Sequence, residues 1–98
     1  TNGFTYLDGD GIFIASENSK NVKAFLGLDK QDGGMIRLHN SLNKEMAYLG
    51  TKNEHGMLKL NNSNGFETCM IFSENDYGMI NLFDRNGKLG FAQSGQKE

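Results

Sequence analysis

The sequence has 98 residues, with ten Lys or Arg against twelve Asp or Glu and a net charge of −2. A chain of this length predicts one domain, and its interspersed charges, without a basic stripe, exclude an ordinary nucleic-acid partner. One cysteine, Cys69, excludes an internal disulfide framework and a cysteine-rich zinc site, and no apolar run is long enough to predict membrane insertion.

Residues 1–10 are expected to be the end of a preceding repeat or a linker. The stretch FTYL (4–7) is similar to the second half of the repeating unit described below. The sequence starts at Thr1 without a methionine, so we expect a fragment or a processed form. Asp8 and Asp10 have the spacing that begins an EF-hand calcium loop, but the remaining ligands of that loop do not follow. We interpret this stretch as a glycine-rich turn and predict no metal site and no cofactor.

From Gly11 onwards the sequence repeats with a period of about 22 residues. We divide the single β-repeat domain 11–98 into four units, 11–33, 34–55, 56–77 and 78–98, each starting at a glycine. The last three units open with GMIRL, GMLKL and GMINL, in which apolar and polar residues alternate as in a half-buried strand. A turn segment such as SNG or RNG and a second apolar stretch follow. Each unit is therefore predicted to form a strand, a tight turn, a strand and a longer polar link.

Four such units predict an all-β fold, an antiparallel meander of repeated β-hairpins with about eight strands. The stretch SLNKEMAYL (41–49) also has apolar residues at helical spacing. The equivalent stretches of the third and fourth units contain β-forming residues or glycines, which are poor helix formers. We therefore predict a strand in the second unit as well.

An apolar face of this meander needs a second layer. Three chains that turn these faces toward a shared axis, as a trimeric β-prism or triple-stranded β-helix, suit a hydrophobic content of only 37%. A single-chain β-solenoid and an up-and-down barrel are the alternatives. The residues expected to pack in the core of the homotrimer are Phe13, Leu26, Ile36, Leu38, Leu49, Leu58, Leu60, Ile71, Ile80 and Leu82.

The pattern G-x-[ILF]-x-[LA]-x-[NDE], followed by an Asn-Gly turn, a short apolar strand and a polar link, resembles the repetitive β-structured stalks of bacteriophage tail fibres and tail spikes. This resemblance in repeat style extends over residues 11–95. It implies a homotrimeric shaft or tip that supports attachment to a host surface, on a virion or outside the cell. Gln93 departs from the pattern because it stands in an apolar slot, so the fourth unit is expected to be a terminal unit or a transition to another domain.

The polar links are expected to lie along one edge of the protein. Tyr77, Asp76 and Asn75 in the last link combine an aromatic ring with hydrogen-bonding groups, which suits a binding module for surface polysaccharide. A polysaccharide-cleaving enzyme is a third hypothesis, and a hydrolase of that kind needs two carboxylates across a cleft. The sequence brings no two acidic residues together in that way, so we predict that the chain is not an enzyme.

Six further residues have simple structural interpretations. Cys69 occupies the slot that holds alanine in earlier units, and we predict a small, half-buried residue rather than a nucleophile. His39 and His55 lie in different units and are expected to be solvated surface histidines rather than metal ligands. If the apolar residues of the first strands face inward, the residues after the glycines form a row on the other face, namely Met35, Met57 and Met79.

Overall fold

The computed structural model describes residues 3–97, which form nine β-strands and no helix. The strands are β1 (Gly3–Asp8), β2 (Gly11–Ser16), β3 (Val22–Leu28), β4 (Gly34–His39), β5 (Glu45–Lys52), β6 (His55–Asn61), β7 (Glu67–Glu74), β8 (Tyr77–Phe83) and β9 (Leu89–Ser94). Each strand pairs antiparallel with its neighbours in sequence, in the order β1 to β9. Within residues 3–97, no helix is long and apolar enough to cross a membrane.

The predicted all-β meander is confirmed, including the strand at β5 in place of a helix. The count is nine rather than eight because residues 3–8 form β1, which pairs with β2 in the same sheet. Over the described residues the sheet is open, since the two outer strands β1 and β9 do not pair with each other. Neither an up-and-down barrel nor a single-chain solenoid therefore describes the fold of residues 3–97.

Two kinds of turn connect the strands, and their predicted lengths were wrong except at the first link, 29–33, which is a five-residue loop. Asn53–Glu54 and Asn75–Asp76 are two-residue turns in which both φ angles are positive, between 51° and 68°. This geometry is that of the type I′ hairpin turn, which matches the twist of the strands. The second and third polar links are thus mostly strand. The turn within each unit, predicted to be tight, is instead a five-residue loop, as at 40–44, 62–66 and 84–88.

The five-residue loops of the last three units share one hydrogen-bonding pattern, whereas serine hydroxyl oxygens accept in the loop 17–21 of the first unit. In the loop 40–44, the Oδ1 atom of Asn40 accepts hydrogen bonds from the backbone N–H groups of Leu42 and Lys44, both at 3.0 Å. Asn62 and Asp84 make the same pair of bonds in their loops. An Asn or Asp side chain that mimics a backbone turn in this way explains why these residue types recur at one position of the repeat.

A β-bulge accompanies the loop within each unit, whereas the pairing of β3 with β4 around the link 29–33 has no register shift. The register shifts directly after Ile14, Leu38, Leu60 and Leu82, which are equivalent positions of the four units. Each bulge inserts one residue into the second strand of the hairpin and increases the local twist. Neighbouring loops are also joined, since Asn62 Nδ2 donates to the Arg85 carbonyl oxygen at 2.9 Å.

The sheet is a single layer with almost no interior. The buried hydrophobic residues of the described chain are Ala15 and Tyr48, which are 2% and 8% exposed. The accessible surface is 7042 Å², against about 5,600 Å² for a compact protein of this mass. The radius of gyration is 15.5 Å, against about 12.6 Å for a compact chain of this length. The result is an elongated slab with extents of 51 × 30 × 18 Å.

We predict that Asn40→Ala lowers the free energy of unfolding by about 1–2 kcal/mol, because two loop N–H groups lose their acceptor. Asn40→Asp is the matched control and is expected to be nearly neutral, since Asp84 accepts the same two bonds in the fourth unit. Urea denaturation at one fixed protein concentration measures both variants. Equal midpoints for Asn40→Ala and the unmodified protein would show that the side-chain acceptor contributes nothing.

Candidate interaction surface

The pairing register assigns the side chains to two very different faces, because cross-strand partners lie on the same side of a sheet. We call the first the aliphatic face. From β2 to β9 its first row is Ile12, Leu26, Ile36, Leu49, Leu58, Ile71, Ile80 and Gln93. Its second row is Ile14, Ala24, Leu38, Ala47, Leu60, Cys69, Leu82 and Phe91. Neither row contains a charged residue.

The aliphatic face is open to solvent. Apart from the half-buried Leu58, the large apolar side chains of its two rows are 38–52% exposed. Together they form a continuous apolar band across eight strands. Soluble monomers rarely expose a contiguous apolar patch of this extent, and such patches mark interaction sites.

Nine of the ten residues predicted to pack in the trimer lie on the aliphatic face, and Phe13 does not. Phe13 pairs with Phe25 on the opposite face, and their ring centroids are 4.5 Å apart. Ile12 and Ile14 take the expected places instead. A register displaced by one residue turns every side chain of a strand to the other face, and anchoring the first unit on Gly11 introduced that displacement. Whether the nine residues pack between chains stays a prediction.

The opposite face covers itself with long and aromatic side chains. The Tyr48 ring lies between Arg37, whose guanidinium carbon is 5.5 Å from the ring centroid, and Lys59, whose Nζ atom is 5.8 Å from it. Arg37 also forms an ion pair with Glu45 at 3.3 Å. Two cation–π contacts favour one position of the Tyr48 ring, which lies over Gly50.

The predicted row of methionines is present on this opposite face. Met57 and Met79 both pair with Phe72, and all three side chains are half-buried. Met35 pairs with Gly27 and is half-buried as well. A second row of stacked rings extends toward β1, which the sequence analysis did not identify. It consists of Phe4, Tyr6, Phe13 and Phe25.

A small hollow of about 250 Å³ lies on this face beside the two-residue turns. Met57, Met70 and Phe72 are among its apolar lining residues, and Lys52, His55 and Glu74 are among its polar ones. Sequence reasoning missed this hollow, because its walls come from three different strands.

The residues of the predicted ligand edge lie beside this hollow. Glu74, which lines it, pairs with Tyr77. Asn75 and Asp76 form the exposed turn between those two residues. The polar turns 53–54 and 75–76 lie at the same end of the sheet, as the meander topology requires.

The single candidate residues are distributed over both faces. Cys69 is half-buried between Leu60 and Leu82 on the aliphatic face, in agreement with its prediction. His39 and His55 are half-buried rather than fully solvated, and no hydrogen bond reaches His39 Nδ1 within residues 3–97.

The two aspartates near the N-terminus contact each other through a turn. The backbone N–H of Asp10 donates to Asp8 Oδ1 at 2.7 Å. In the described part of the chain, no group of three or more His, Cys, Asp or Glu residues could hold a metal ion.

Comparison with known proteins does not assign the chain to a family. No protein-family model matches the chain, and no curated protein matches it significantly.

We predict that Gly50→Ala destabilises the sheet by about 1–3 kcal/mol, a cost typical of overpacking. The added Cβ would lie 2.6 Å from the Tyr48 hydroxyl oxygen and displace the ring. Gly56→Ala in the next strand is the matched control, because its added Cβ meets no atom within 4 Å. Thermal and urea unfolding measure both, and equal stability of the two variants would contradict the role given to Tyr48.

Proposed function

We propose that this chain is a structural segment of a homotrimeric fibre or spike of the bacteriophage tail type. In this assembly, three copies cover one another's aliphatic faces around a common axis and support a host-attachment end. The observation that carries the proposal is the uncharged aliphatic band, exposed on a single-layer sheet that has no interior of its own.

The amount of uncovered surface supports assembly. The chain exposes about 1,400 Å² more than a compact protein of its mass. Stable protein interfaces typically bury about 800 Å² per partner, and permanent ones bury more. Covering the aliphatic face with other chains therefore brings each copy back to the surface area of an ordinary folded protein.

The direction of the two rows supports an axis along the slab. Both rows run across the strands from β2 to β9, so they follow the direction in which the units succeed one another. Around an axis in that direction, equivalent residues of all copies lie at the same height. Each copy then contacts its two neighbours through the two opposite edges of its aliphatic face, and contacts of this kind close a ring. The number three comes from the resemblance of the repeat to tail-fibre stalks.

Light scattering on a size-exclusion column, with a dilution series, tests the assembly directly. We expect three times the chain mass of 10.9 kDa, persisting on dilution. A folded monomer at all concentrations would contradict the proposal, and a stable dimer would contradict its trimeric form.

We predict that Ile71→Asp abolishes the assembly. Ile71 lies in the first row between Leu58 and Ile80, and a carboxylate buried there without a partner is strongly unfavourable. Ala92→Asp, on the exposed opposite face of β9, is the control and should leave the mass unchanged. The same light-scattering series measures both variants, and an intact trimer of Ile71→Asp would show that the aliphatic face is not the contact.

A second function, recognition of surface polysaccharide, is favoured by the hollow beside Tyr77. Its volume of about 250 Å³ suits one sugar ring, and its lining combines the Phe72 ring with the polar groups of Lys52, His55 and Glu74. Apolar walls with a few placed polar groups are typical of small-ligand sites. This function is compatible with assembly, because the hollow and the aliphatic face lie on opposite sides of the sheet.

We predict that Tyr77→Ala weakens binding of any polysaccharide found on a glycan array by about fivefold, the value of one aromatic contact of about 1 kcal/mol. Tyr6→Ala, on the same face but in β1, is the control and should bind as the unmodified protein does. Calorimetric titration measures both. Equal losses in the two variants, or no array binder at all, would exclude this end of the sheet as the site.

A further inference from the structure

The second row of the aliphatic face alternates between large and small side chains. The large residues Ile14, Leu38, Leu60 and Leu82 come from β2, β4, β6 and β8, and the small residues Ala24, Ala47 and Cys69 come from β3, β5 and β7. The first row is large throughout, up to Gln93. Since adjacent strands are about 4.8 Å apart, the small positions form slots that recur roughly every 10 Å.

The chain covers these slots only in part, since Ala24, Ala47 and Cys69 are half-buried. Ala47 lies between Leu38 and Leu60, and both leucines remain open to solvent, at 46% and 39% exposed, rather than closing over it. The opposite face treats its small residues differently, since the Tyr48 ring covers Gly50 and the Phe25 ring covers Gly27. Gly27 and Gly50 therefore lie beneath rings of their own strands, whereas Ala24, Ala47 and Cys69 are half-buried between side chains that are themselves exposed.

We propose that the slots at Ala24, Ala47 and Cys69 receive large aliphatic side chains from a neighbouring copy of this chain. The proposal rests on the assembly proposed above and deepens it by naming the residues at which the copies interlock. The partner is a second copy because the same face carries both the projecting side chains and the slots, at one common spacing. Interiors and stable interfaces are close-packed, so empty slots of this kind need matching side chains.

The alignment has a defined end. At β9 the next small position is occupied by Phe91, and Gln93 replaces the apolar residue of the first row. A copy displaced along the axis by a whole unit would meet Phe91 at β9, where β3, β5 and β7 each offer a slot.

Filling a slot with a larger side chain distinguishes a fitted interface from nonspecific hydrophobic association. Ala47→Leu adds apolar surface to the aliphatic face. If association were nonspecific, the copies would therefore bind one another as tightly as before or more tightly. Interlocking predicts the opposite, a dissociation constant at least about tenfold higher, because overpacking a fitted contact is unfavourable. Ala92→Leu adds the same atoms to the opposite face and should leave the dissociation constant unchanged.

Position 69 provides a second, matched pair. Cys69→Ala keeps the slot and should assemble as the unmodified chain does, whereas Cys69→Leu fills it and should weaken assembly like Ala47→Leu. Sedimentation equilibrium over a dilution series measures all four variants, and circular dichroism confirms that each keeps its β-structure. If Ala47→Leu and Cys69→Leu both assemble as tightly as the unmodified chain, the proposed role of the slots is wrong while the proposed assembly stands. A monomeric unmodified chain would overturn the assembly and the slots together.

Discussion

A single-layer sheet has no second layer over either face, so only its own side chains can shield the two faces from water. In this protein, the middle of one face is the better covered, because aromatic rings lie over its glycines and long charged side chains lie over a ring, whereas Phe4 and Tyr6 at its β1 end remain 41% and 38% exposed. Phe25 and Tyr48 cover glycines in this way, and Arg37 and Lys59 lie against the Tyr48 ring. The other face carries short branched side chains, which lie beside their cross-strand neighbours but leave most of the large ones 38–52% exposed. This difference between the two faces determines the surface area, the elongated shape and the functions that suit the chain.

The remaining organisation comes from features that each unit carries locally. An Asn or Asp acceptor shapes the five-residue loop, a bulge follows it, and a two-residue turn with positive φ connects β5 to β6 and β7 to β8. Every strand contacts only its sequence neighbours. Contacts of this kind build a protein by addition of units, as in repeat proteins, and they need no central core to form. The sheet can therefore hold its register while one face stays uncovered.

The sequence predicted the parts of this structure that depend on alternation within one strand. Ile36 and Leu38 with Arg37 between them, and the same pattern at β6 and β8, correctly predicted strand type and facing. The predicted facing of side chains in the first unit was wrong. Ile12, Phe13 and Ile14 are all apolar, so no alternation indicates which of them lie on the same face as Ile36. Only the pairing of Ile12 with Leu26 decides it.

Other features depend on pairing in the same way and were not predictable from single strands. A bulge is an extra residue relative to a partner strand, so it has no signature in one strand alone. The hollow lined by Met57, Met70 and Phe72 likewise needs the register of two strands. The contrast between rings that cover glycines and leucines that leave Ala47 open depends on side-chain direction, which composition does not contain.

The meander order also has a mechanical consequence. Strands lie across the direction in which units succeed one another, so the backbone hydrogen bonds between them point along that direction. A pulling force along this direction would separate the strand pairs one after another, so that only one pair resists the force at a time. A lone sheet of this design is soft under tension. Copies interlocked through their faces would instead have to be pulled apart together, so load would be shared between chains at every level.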